Sequence, residues 1–447
     1  MKIAILATAL TCCCLASYAG NETVRIKGQL VDMGRKAIMN YNGAASMLGD
    51  SRDMPLNVDA EGKFDTTFVL KEPTYFSISR NTLYLTPGDD LTVKITQSNS
   101  EAEFSGKGAE VNIYMKKRLF PKGGSFLEAG SNIKKDFATT KVTIDSLAAI
   151  RYAELDKLTA SDEFKSLEKA RITADVINSY ISYGSYSRMF NGIKDETEYK
   201  AKWNEFSQTL APLLNPLYKE IVDEKMLDVA VVRDVLSYAT ESAGAAWFEG
   251  ITLPERTKEL YACDEKVSEL RREASQKVVN DVNTYLKNVK NKDFADELYA
   301  KIAQVGKLLP GQTAPDLVLQ DVDGNTRKLS DFKGKMIFVD LWATWCGPCI
   351  QESPAFEALG KKYANEEIVF LPVSTDNNTK IWLSYLKAHK KELTQYFSQD
   401  KALKNDWAIF YIPRFILIDK NFKIVDAYAP RPSSDEINAL IDATLKK

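Results

Sequence analysis

The sequence predicts a chain of three parts: a small all-β sandwich or barrel module, an all-α middle region and a C-terminal α/β domain. At 447 residues, the chain is too long for one ordinary hydrophobic core. Apolar residues first alternate with polar ones, then recur at intervals of three and four, and finally strand and helix patterns follow each other in turn. The three patterns occupy residues 20–106, 107–305 and 307–447.

The N-terminal segment, residues 1–19, has the pattern of a secretory signal peptide. Lys2 is followed by an apolar run over residues 3–16, and Ser17-Tyr18-Ala19 places small residues where a signal peptidase reads them. The alternative is a buried N-terminal helix. We expect the segment to be removed on export, which makes the protein periplasmic or otherwise extracytoplasmic.

Lipidation is another way in which this segment could be processed. It would need a lipobox before one of the cysteines of the apolar run, Cys12, Cys13 and Cys14. The residues that precede them, Ala9-Leu10-Thr11, match that pattern poorly. We therefore expect a membrane as a partner only if the protein is lipidated.

The charge of the chain argues against a nucleic-acid partner. The formal net charge is −2, and the sequence contains no polybasic run. Binding to nucleic acid or to an anionic membrane surface depends on such clusters of positive charge. We expect neither.

Residues 20–106 alternate between apolar and polar side chains in short runs separated by turn residues. Strands are predicted where the alternation is clearest, at 24–31, 75–79 and 91–95. Residues 107–305 change to the period of helices. From Val267 to Val289, apolar residues recur at intervals of three and four, and charged residues fill the other positions. This middle region is interpreted as an interaction or spacer region.

The C-terminal domain alternates strand and helix patterns. Buried strands are predicted where apolar residues run together, at 336–342, 368–373, 415–418 and 424–428. The last helix is predicted to begin with a capping box formed by Ser433 and Glu436.

Two cysteines separated by two residues follow the strand at 336–342. The segment Cys346-Gly347-Pro348-Cys349 can close into a disulfide and reopen with little movement of the backbone. A helical pattern begins at this segment and places Cys346 at a helix N-terminus. Unpaired N–H groups and the helix dipole there favour the thiolate, which is the form that attacks disulfides. The motif predicts thiol-disulfide exchange.

Other interpretations of the cysteine pair are weaker. A zinc site would need two further ligands, and beyond the signal peptide the chain offers only Cys263 and His389. Covalent haem would need a histidine at position 350, where Ile350 stands. A purely structural disulfide is disfavoured because Gly-Pro between the cysteines is typical of redox-active pairs. We expect no metal and no cofactor other than a redox-active disulfide between Cys346 and Cys349.

Residues 307–447 carry several motifs in a fixed order, and with them they resemble one protein family. The motifs are Gly311-x-x-Ala314-Pro315-Asp316, Leu329-Ser330-Asp331-Phe332-x-Gly334-Lys335, Trp342-Ala343-Thr344-Trp345-Cys346-Gly347-Pro348-Cys349, Glu352-x-Pro354 and Ile412-Pro413. They are similar to the thioredoxin-like domain of the TlpA/ResA branch of bacterial thiol-disulfide oxidoreductases, which are of the AhpC/TSA type. Residues 22–106 resemble, more weakly, the small β-module that precedes such domains in some exported bacterial proteins.

The resemblance implies roles for the residues of the motif itself. Cys346 would be the nucleophile that forms a mixed disulfide with the substrate, and Cys349 the resolving thiol that releases reduced product. Trp345 would cover the pair with an apolar surface for the substrate; the alternative is a tryptophan of the core.

Two acids are candidates for the general base. Asp340 stands where thioredoxins carry a buried acid, and Glu352 where the TlpA/ResA branch carries its own. Burial raises the pKa of a carboxyl group, so that it can accept the proton of the resolving thiol. Asp340 is the first choice because its strand is predicted to be buried, while Glu352 has the alternative of a solvated helix face.

The resemblance also implies a substrate site at Ile412 and Pro413. Pro413 stands where this family has a cis-proline loop, next to which the backbone of Ile412 would pair with an extended substrate segment.

The function implied is reduction of disulfides in extracytoplasmic proteins, with a membrane thiol electron donor to recharge the enzyme. Two alternatives stay open. One is a disulfide oxidase or isomerase, and the other is a binding or assembly protein in which the thioredoxin-like domain is secondary.

Overall fold

The computed structural model describes residues 22–33, 36–116, 124–241 and 244–446. The predicted signal peptide, residues 1–19, lies outside the described residues. The chain forms two compact units, one up to Tyr261 and one from Ala262 onward. The predicted middle region contributes helices to both units.

The N-terminal module consists of short strands that turns connect. They are β1 (Thr23–Leu30), β2 (Lys36–Tyr41), β3 (Met54–Asn57), β4 (Lys63–Val69), β5 (Thr74–Ile78), β6 (Asn81–Leu85), β7 (Asp90–Ile95) and β8 (Glu103–Lys107). The strands form sheets of order β4-β1-β7-β8 and β3-β2-β5-β6. Val24 and Ile26 of the first sheet share one core with Phe76 and Ile78 of the second. The predicted all-β module is confirmed, as a sandwich.

Helices follow the module. They are α1 (Ala109–Met115), α2 (Phe137–Lys157), α3 (Asp162–Phe190), α4 (Glu196–Ile221), α5 (Ala230–Leu236), α6 (Glu255–Arg272), α7 (Gln276–Leu286) and α8 (Lys292–Gly306). Asp136 and Asp195 cap α2 and α4 by accepting hydrogen bonds from backbone amides. The predicted all-α region is confirmed. No helix among the described residues is both long and apolar enough to cross a bilayer.

The apolar pattern from Val267 to Val289 does not form one helix. Helix α6 ends at Arg272, and the hydroxyl of Ser275 accepts a hydrogen bond from the amide of Val278, 3.3 Å away, which starts α7. A serine N-cap starts a new helix without changing the spacing of apolar residues along the sequence. The apolar pattern therefore continues from α6 into α7, although the helix itself ends between them.

The C-terminal domain is built on a mixed sheet. Its strands are β9 (Val318–Gln320), β10 (Thr326–Lys328), β11 (Met336–Trp342), β12 (Ile368–Ser374), β13 (Tyr396–Phe397), β14 (Arg414–Ile418) and β15 (Ile424–Asp426), in the order β10-β9-β13-β12-β11-β14-β15. Its helices are α9 (Gly347–Lys362), α10 (Thr379–Ala388), α11 (Ala402–Asn405) and α12 (Asp435–Leu445).

Strand β11 is central in this sheet and buried at every position. Phe338 on one face packs with Phe356 of α9 and Ile437 of α12, whereas Val339 on the other face packs with Leu308 and residues of the sheet. The run of apolar residues without alternation reflects this burial on both faces. The predicted thioredoxin-like α/β fold is confirmed, and the cysteine pair follows the carboxyl end of β11.

Candidate active site

Cys346 is the N-cap residue of α9, as its place between strand and helix predicted. Its backbone is extended, and its Sγ accepts a hydrogen bond from the amide of Cys349 at 3.2 Å. Pro348 fits the first turn of the helix because a proline there forfeits no intrahelical hydrogen bond. After reduction, the same amide and the helix dipole stabilise negative charge on Cys346.

The two cysteines are joined in a disulfide, with their Cα atoms 5.3 Å apart. Cys346 is 5% exposed and Cys349 1% exposed. The pair packs against an apolar cluster that includes Trp342, Ala343, Trp382 and Phe397. This packing leaves a narrow approach to Cys346 and shields Cys349.

Asp340 lies on β11 and is buried. Burial raises the pKa of Asp340 to about 8; the positive charge of Lys391 opposes this shift and the negative charge of Glu352 adds to it. Its Oδ1 has no hydrogen-bond partner among the described residues. Asp340 is therefore a carboxyl group that holds its proton at neutral pH and has an oxygen available for proton transfer.

Glu352 is also buried, and the alternative of a solvated helix face is wrong. The amide of Ser433 donates to Glu352 Oε2 at 3.1 Å, and the hydroxyl of Ser433 donates to Oε1 at 2.9 Å. The predicted capping box at Ser433 is wrong as well. The N-cap of α12 is Ser434, whose hydroxyl accepts from the amide of Glu436, because the side chain of Ser433 is engaged by Glu352.

Lys391 is a member of the site that the sequence did not reveal. Its Nζ donates to the hydroxyl of Ser353 on α9 at 2.6 Å and lies 3.9 Å from Oε1 of Glu357. The same Nζ lies 5.8 Å from the ring centroid of Trp342. The side chain is mostly buried, so its charge reaches Asp340 with little screening by water.

Asp376 fixes the segment that leads into the cysteine motif. Its carboxylate accepts hydrogen bonds from the amide of Thr344 at 3.0 Å, from the Thr344 hydroxyl at 2.8 Å and from the Ser374 hydroxyl at 2.7 Å. Asp376 is buried just after β12, so these bonds connect the ends of two neighbouring strands. They hold the backbone two residues before Cys346.

Trp345 is 70% exposed, which excludes the alternative of a core tryptophan. Three other exposed apolar side chains lie within two positions in sequence of residues that pack in the cluster around the disulfide: Ile350, Ile381 and Phe410. Exposed apolar side chains near a reactive group are typical of a binding surface. We call Trp345, Ile350, Ile381 and Phe410 the apolar rim.

The peptide bond between Ile412 and Pro413 is cis, as the resemblance implies. Ile412 is partly buried and packs against the cluster that holds the cysteines. The structure packs Ile412 against the cluster that contains Cys346 and Cys349, and Trp345 and Pro413 are chain neighbours of these residues. Asp340 interacts electrostatically with Glu352 and with Lys391, which lies near Trp342 of the same cluster.

The remaining cysteine lies far from the pair in sequence, and the histidine lies two residues before Lys391. Cys263 is buried in α6, with its Sγ 4.0 Å from the hydroxyl of Tyr285, and His389 is exposed and stacks on Tyr385. Within the described ranges, His, Cys, Asp and Glu side chains form no group of three suited to a metal ion.

Sequence comparison finds similarity between known proteins and the C-terminal domain of this chain. The Redoxin family matches residues 309–441. The thioredoxin-like protein YneN of Bacillus subtilis is 31% identical over 135 residues, which are 30% of this chain and 78% of that protein. The thiol-disulfide oxidoreductase ResA of Bacillus thuringiensis is 25% identical over 131 residues, or 29% of this chain and 76% of that protein.

A crystal structure of a candidate thiol-disulfide oxidoreductase from Bacteroides vulgatus is 72% identical to this chain. The match covers 31% of this chain and 98% of the chain in that crystal structure, with a TM-score of 0.31. The family match and the identity to YneN, on a domain with a disulfide at the N-cap of α9, agree in one conclusion. Through its C-terminal domain, the chain belongs to the thioredoxin superfamily as a thiol-disulfide oxidoreductase of the ResA-like kind.

Proposed function

We propose that this chain is an extracytoplasmic reductase that reduces disulfides of other exported proteins through Cys346 and Cys349. The observation that carries the proposal is the disulfide at the N-cap of α9, and the buried carboxyl group of Asp340 on the preceding strand supports it. A nucleophile, a resolving thiol and a proton acceptor are the groups that such a reaction requires.

The first step begins with the reduced enzyme. The Cys346 thiolate attacks one sulfur of the substrate disulfide, a bond forms between the two sulfurs, and the substrate's other sulfur leaves as a thiolate that takes a proton from water. The N-cap position supports this step, because the helix N-terminus stabilises the thiolate before it attacks.

The second step releases the substrate. Asp340, as a carboxylate, accepts the proton of Cys349, and the resulting thiolate attacks Cys346 Sγ. The mixed disulfide breaks, the substrate leaves with both its sulfurs reduced, and the enzyme retains the disulfide between Cys346 and Cys349. The free Oδ1 of Asp340 supports its role as the proton acceptor.

The direction of the reaction is inferred from the residues between the cysteines. Gly347-Pro348 is the dipeptide of thioredoxin, whose potential is about −270 mV, well below the value of about −120 mV for the strong oxidant DsbA. A pair with a low potential donates electrons to disulfides of higher potential, such as strained or exposed ones. This supports reduction rather than oxidation or isomerisation.

The apolar rim and the Ile412–Pro413 segment would receive the substrate. A protein whose disulfide lies in an exposed or partly unfolded segment can place apolar side chains on Trp345 and Phe410. The backbone of Ile412 would then pair with the extended segment that carries the disulfide.

The proposed location follows from the pattern of residues 1–19. Outside the cytoplasm, a membrane protein with a dithiol would have to reduce the Cys346–Cys349 disulfide after each turnover. A membrane is proposed as a direct partner only if the chain is lipidated, and we propose no metal and no cofactor beyond the redox-active disulfide.

The test is a reduction assay on the full chain, with insulin as the protein disulfide and dithiothreitol as the electron donor. The wild type should accelerate insulin reduction, and Cys346→Ser should abolish the acceleration. Cys349→Ala should instead accumulate mixed disulfides on Cys346, which identify substrates when the trapping is repeated in cells. A wild type that leaves the rate of insulin reduction unchanged would refute the proposal.

A second candidate function is that of a binding or assembly protein. It is favoured by the observation that most of the chain, including the β-sandwich and helices α1–α8, lies outside the Redoxin match. Replacement of the wild-type protein by Cys346→Ser in the cell separates the two. A cell that loses the function supports the reductase, and a cell that retains it supports the binding protein.

A further inference from the structure

Helices α6 and α8 precede the Redoxin match, yet residues of both contact the loop that leads to Pro413. The match begins at residue 309, whereas α6 ends at Arg272 and α8 at Gly306. We call residues 404–412, which are the end of α11 and the loop after it, the approach loop. It ends at Ile412, which packs against the cluster around the disulfide.

The start of the approach loop is held by polar contacts from α8 and the residue after it. Gln304 Nε2 donates to the carbonyl of Lys404 at 2.5 Å and to that of Asn405 at 3.3 Å. Lys307 Nζ donates to the carboxylate of Asp406 at 2.8 Å. Two backbone carbonyls and one carboxylate at the start of the approach loop thereby accept hydrogen bonds from Gln304 and Lys307.

The ring of Phe410 is held by cations from both helices. Lys301 Nζ lies 4.3 Å from the ring centroid, and the guanidinium carbon of Arg271 lies 5.1 Å from it. Cations at these distances attract the face of an aromatic ring. Phe410 belongs to the apolar rim, so these contacts set the position of a side chain that is exposed to the substrate.

Two tyrosines connect the last turn of α6 to the region around Pro413. Tyr411 donates its hydroxyl to the carbonyl of Arg271, and Tyr428 donates its hydroxyl to the carbonyl of Leu270, both at 3.3 Å. Carbonyls in the last turn of a helix have no partner within the helix. The two tyrosine hydroxyls supply that partner, and this satisfaction of otherwise unpaired carbonyls stabilises both hydrogen bonds.

Arg414 joins the two tyrosines on the other side of Pro413. Its guanidinium carbon lies 3.0 Å from the ring centroid of Tyr428 and 5.4 Å from that of Tyr411, and its Nε donates to the carbonyl of Ala427 at 2.6 Å. Arg414 is buried, and its Nη1 and Nη2 have no hydrogen-bond partner in the described part of the chain. Its position therefore depends on the two rings as well as on the Ala427 carbonyl, and the hydroxyls of the two tyrosines are bound by α6.

We propose that the end of α6 and helix α8 hold the approach loop in the conformation that receives protein substrates, with Tyr411 and Tyr428 as positioning residues. The inference rests on the proposed function, in which Ile412 contacts the substrate. A loop that is ordered before binding loses less conformational entropy when the substrate arrives. A protein substrate, which contacts the loop, gains from this order, whereas a small disulfide that reaches only Cys346 does not.

The test compares Tyr411→Phe/Tyr428→Phe with Tyr299→Phe in the full chain. The double variant removes both hydroxyls and keeps the rings on which Arg414 lies. Tyr299 is an exposed tyrosine of α8 and provides the matched control. KM and kcat are measured with insulin and with the small aromatic disulfide DTNB, and hydrogen–deuterium exchange is measured for the approach loop.

The double variant should raise KM for insulin about five- to tenfold with kcat nearly unchanged, since hydrogen bonds that pre-organise the site are lost. The DTNB kinetics should stay within about twofold of the wild type, the approach loop should exchange faster, and Tyr299→Phe should match the wild type in all measurements. An unchanged KM for insulin together with unchanged hydrogen exchange would overturn the inference. An equal loss of activity toward insulin and DTNB would overturn it as well, because it indicates general destabilisation.

The two proposals fail separately. If the wild type reduces no insulin, the proposed function fails, while the exchange comparison still decides whether α6 holds the approach loop. If the wild type reduces insulin and the double variant equals it in KM and in exchange, only the present inference fails.

Discussion

Ser433 donates both its amide and its hydroxyl to the carboxylate of Glu352, one to each oxygen. Glu352 is thus engaged in holding the segment before α12, whereas Asp340 has an oxygen without a partner among the residues described. Of the two acids that the sequence nominated, Asp340 is therefore the better candidate for the proton acceptor of the resolving step.

Asp340→Asn should slow the release of reduced substrate about 10- to 100-fold near pH 8, because the amide cannot accept the proton of Cys349. With a pKa of about 8, Asp340 becomes a carboxylate as the pH rises through that value, so the wild-type rate should rise there. Stopped-flow decay of the mixed disulfide measures this step. Glu352→Gln is the comparison and should retain the rise; if Glu352→Gln loses it and Asp340→Asn keeps it, the assignment is reversed.

Asp340→Asn should also raise the free energy of unfolding at neutral and alkaline pH. In the unfolded chain the carboxyl group of Asp340 loses its proton near its ordinary value of 3.8, while in the folded protein it keeps the proton up to about 8. Between these values the folded state binds more protons, so the free energy of unfolding falls as the pH rises, and it levels off above about 8.

Asp340→Asn removes this dependence and should raise the free energy of unfolding at pH 8 by on the order of a few kcal/mol. Urea denaturation of both proteins at several pH values checks the sign. A variant that is less stable than the wild type at high pH would mean that the burial of Asp340 does not penalise its charge.

Lys391→Met should move the pH dependence of the resolving step to higher pH. The positive charge of Lys391 lowers the pKa of Asp340, so its removal raises that pKa and the carboxylate forms later. Lys391→Arg keeps the charge and should stay closer to the wild type. Identical profiles for Lys391→Met and the wild type would show that Lys391 does not influence the proton acceptor.

Asp376→Ala should destabilise the protein by about 2–4 kcal/mol, because the buried hydroxyl of Ser374 and the half-buried donors of Thr344 lose their acceptor. Activity per folded molecule should fall too, since the backbone before Cys346 is released. Thr344→Val removes only one of these bonds and should cost less, about 1 kcal/mol. Thermal unfolding and the insulin assay measure both effects, and equal losses in the two variants would argue against this role of Asp376.

The parts of the structure that local sequence determines were predictable. The run of apolar residues from 336 to 342 matches β11, and the cysteine motif after it matches the N-cap of α9. Strand burial and helix starts depend on neighbouring residues, so their patterns are visible in the sequence.

Features that depend on distant residues were not predictable. Asp376 lies 32 positions after Thr344, and Glu352 lies 81 positions before Ser433, so no local pattern announces either contact. Ser433 was predicted as the N-cap of α12, but its side chain binds Glu352 and Ser434 is the cap. The link between Tyr411 and Arg271 spans 140 positions and the edge of the family match.

The measurement that tests the account most directly is the redox potential of the Cys346–Cys349 pair in the full chain, determined by equilibration with thiol-disulfide buffers of known potential. A reductase with the thioredoxin dipeptide should have a potential of about −270 mV. A potential near about −120 mV would contradict the account and make the protein a disulfide oxidase.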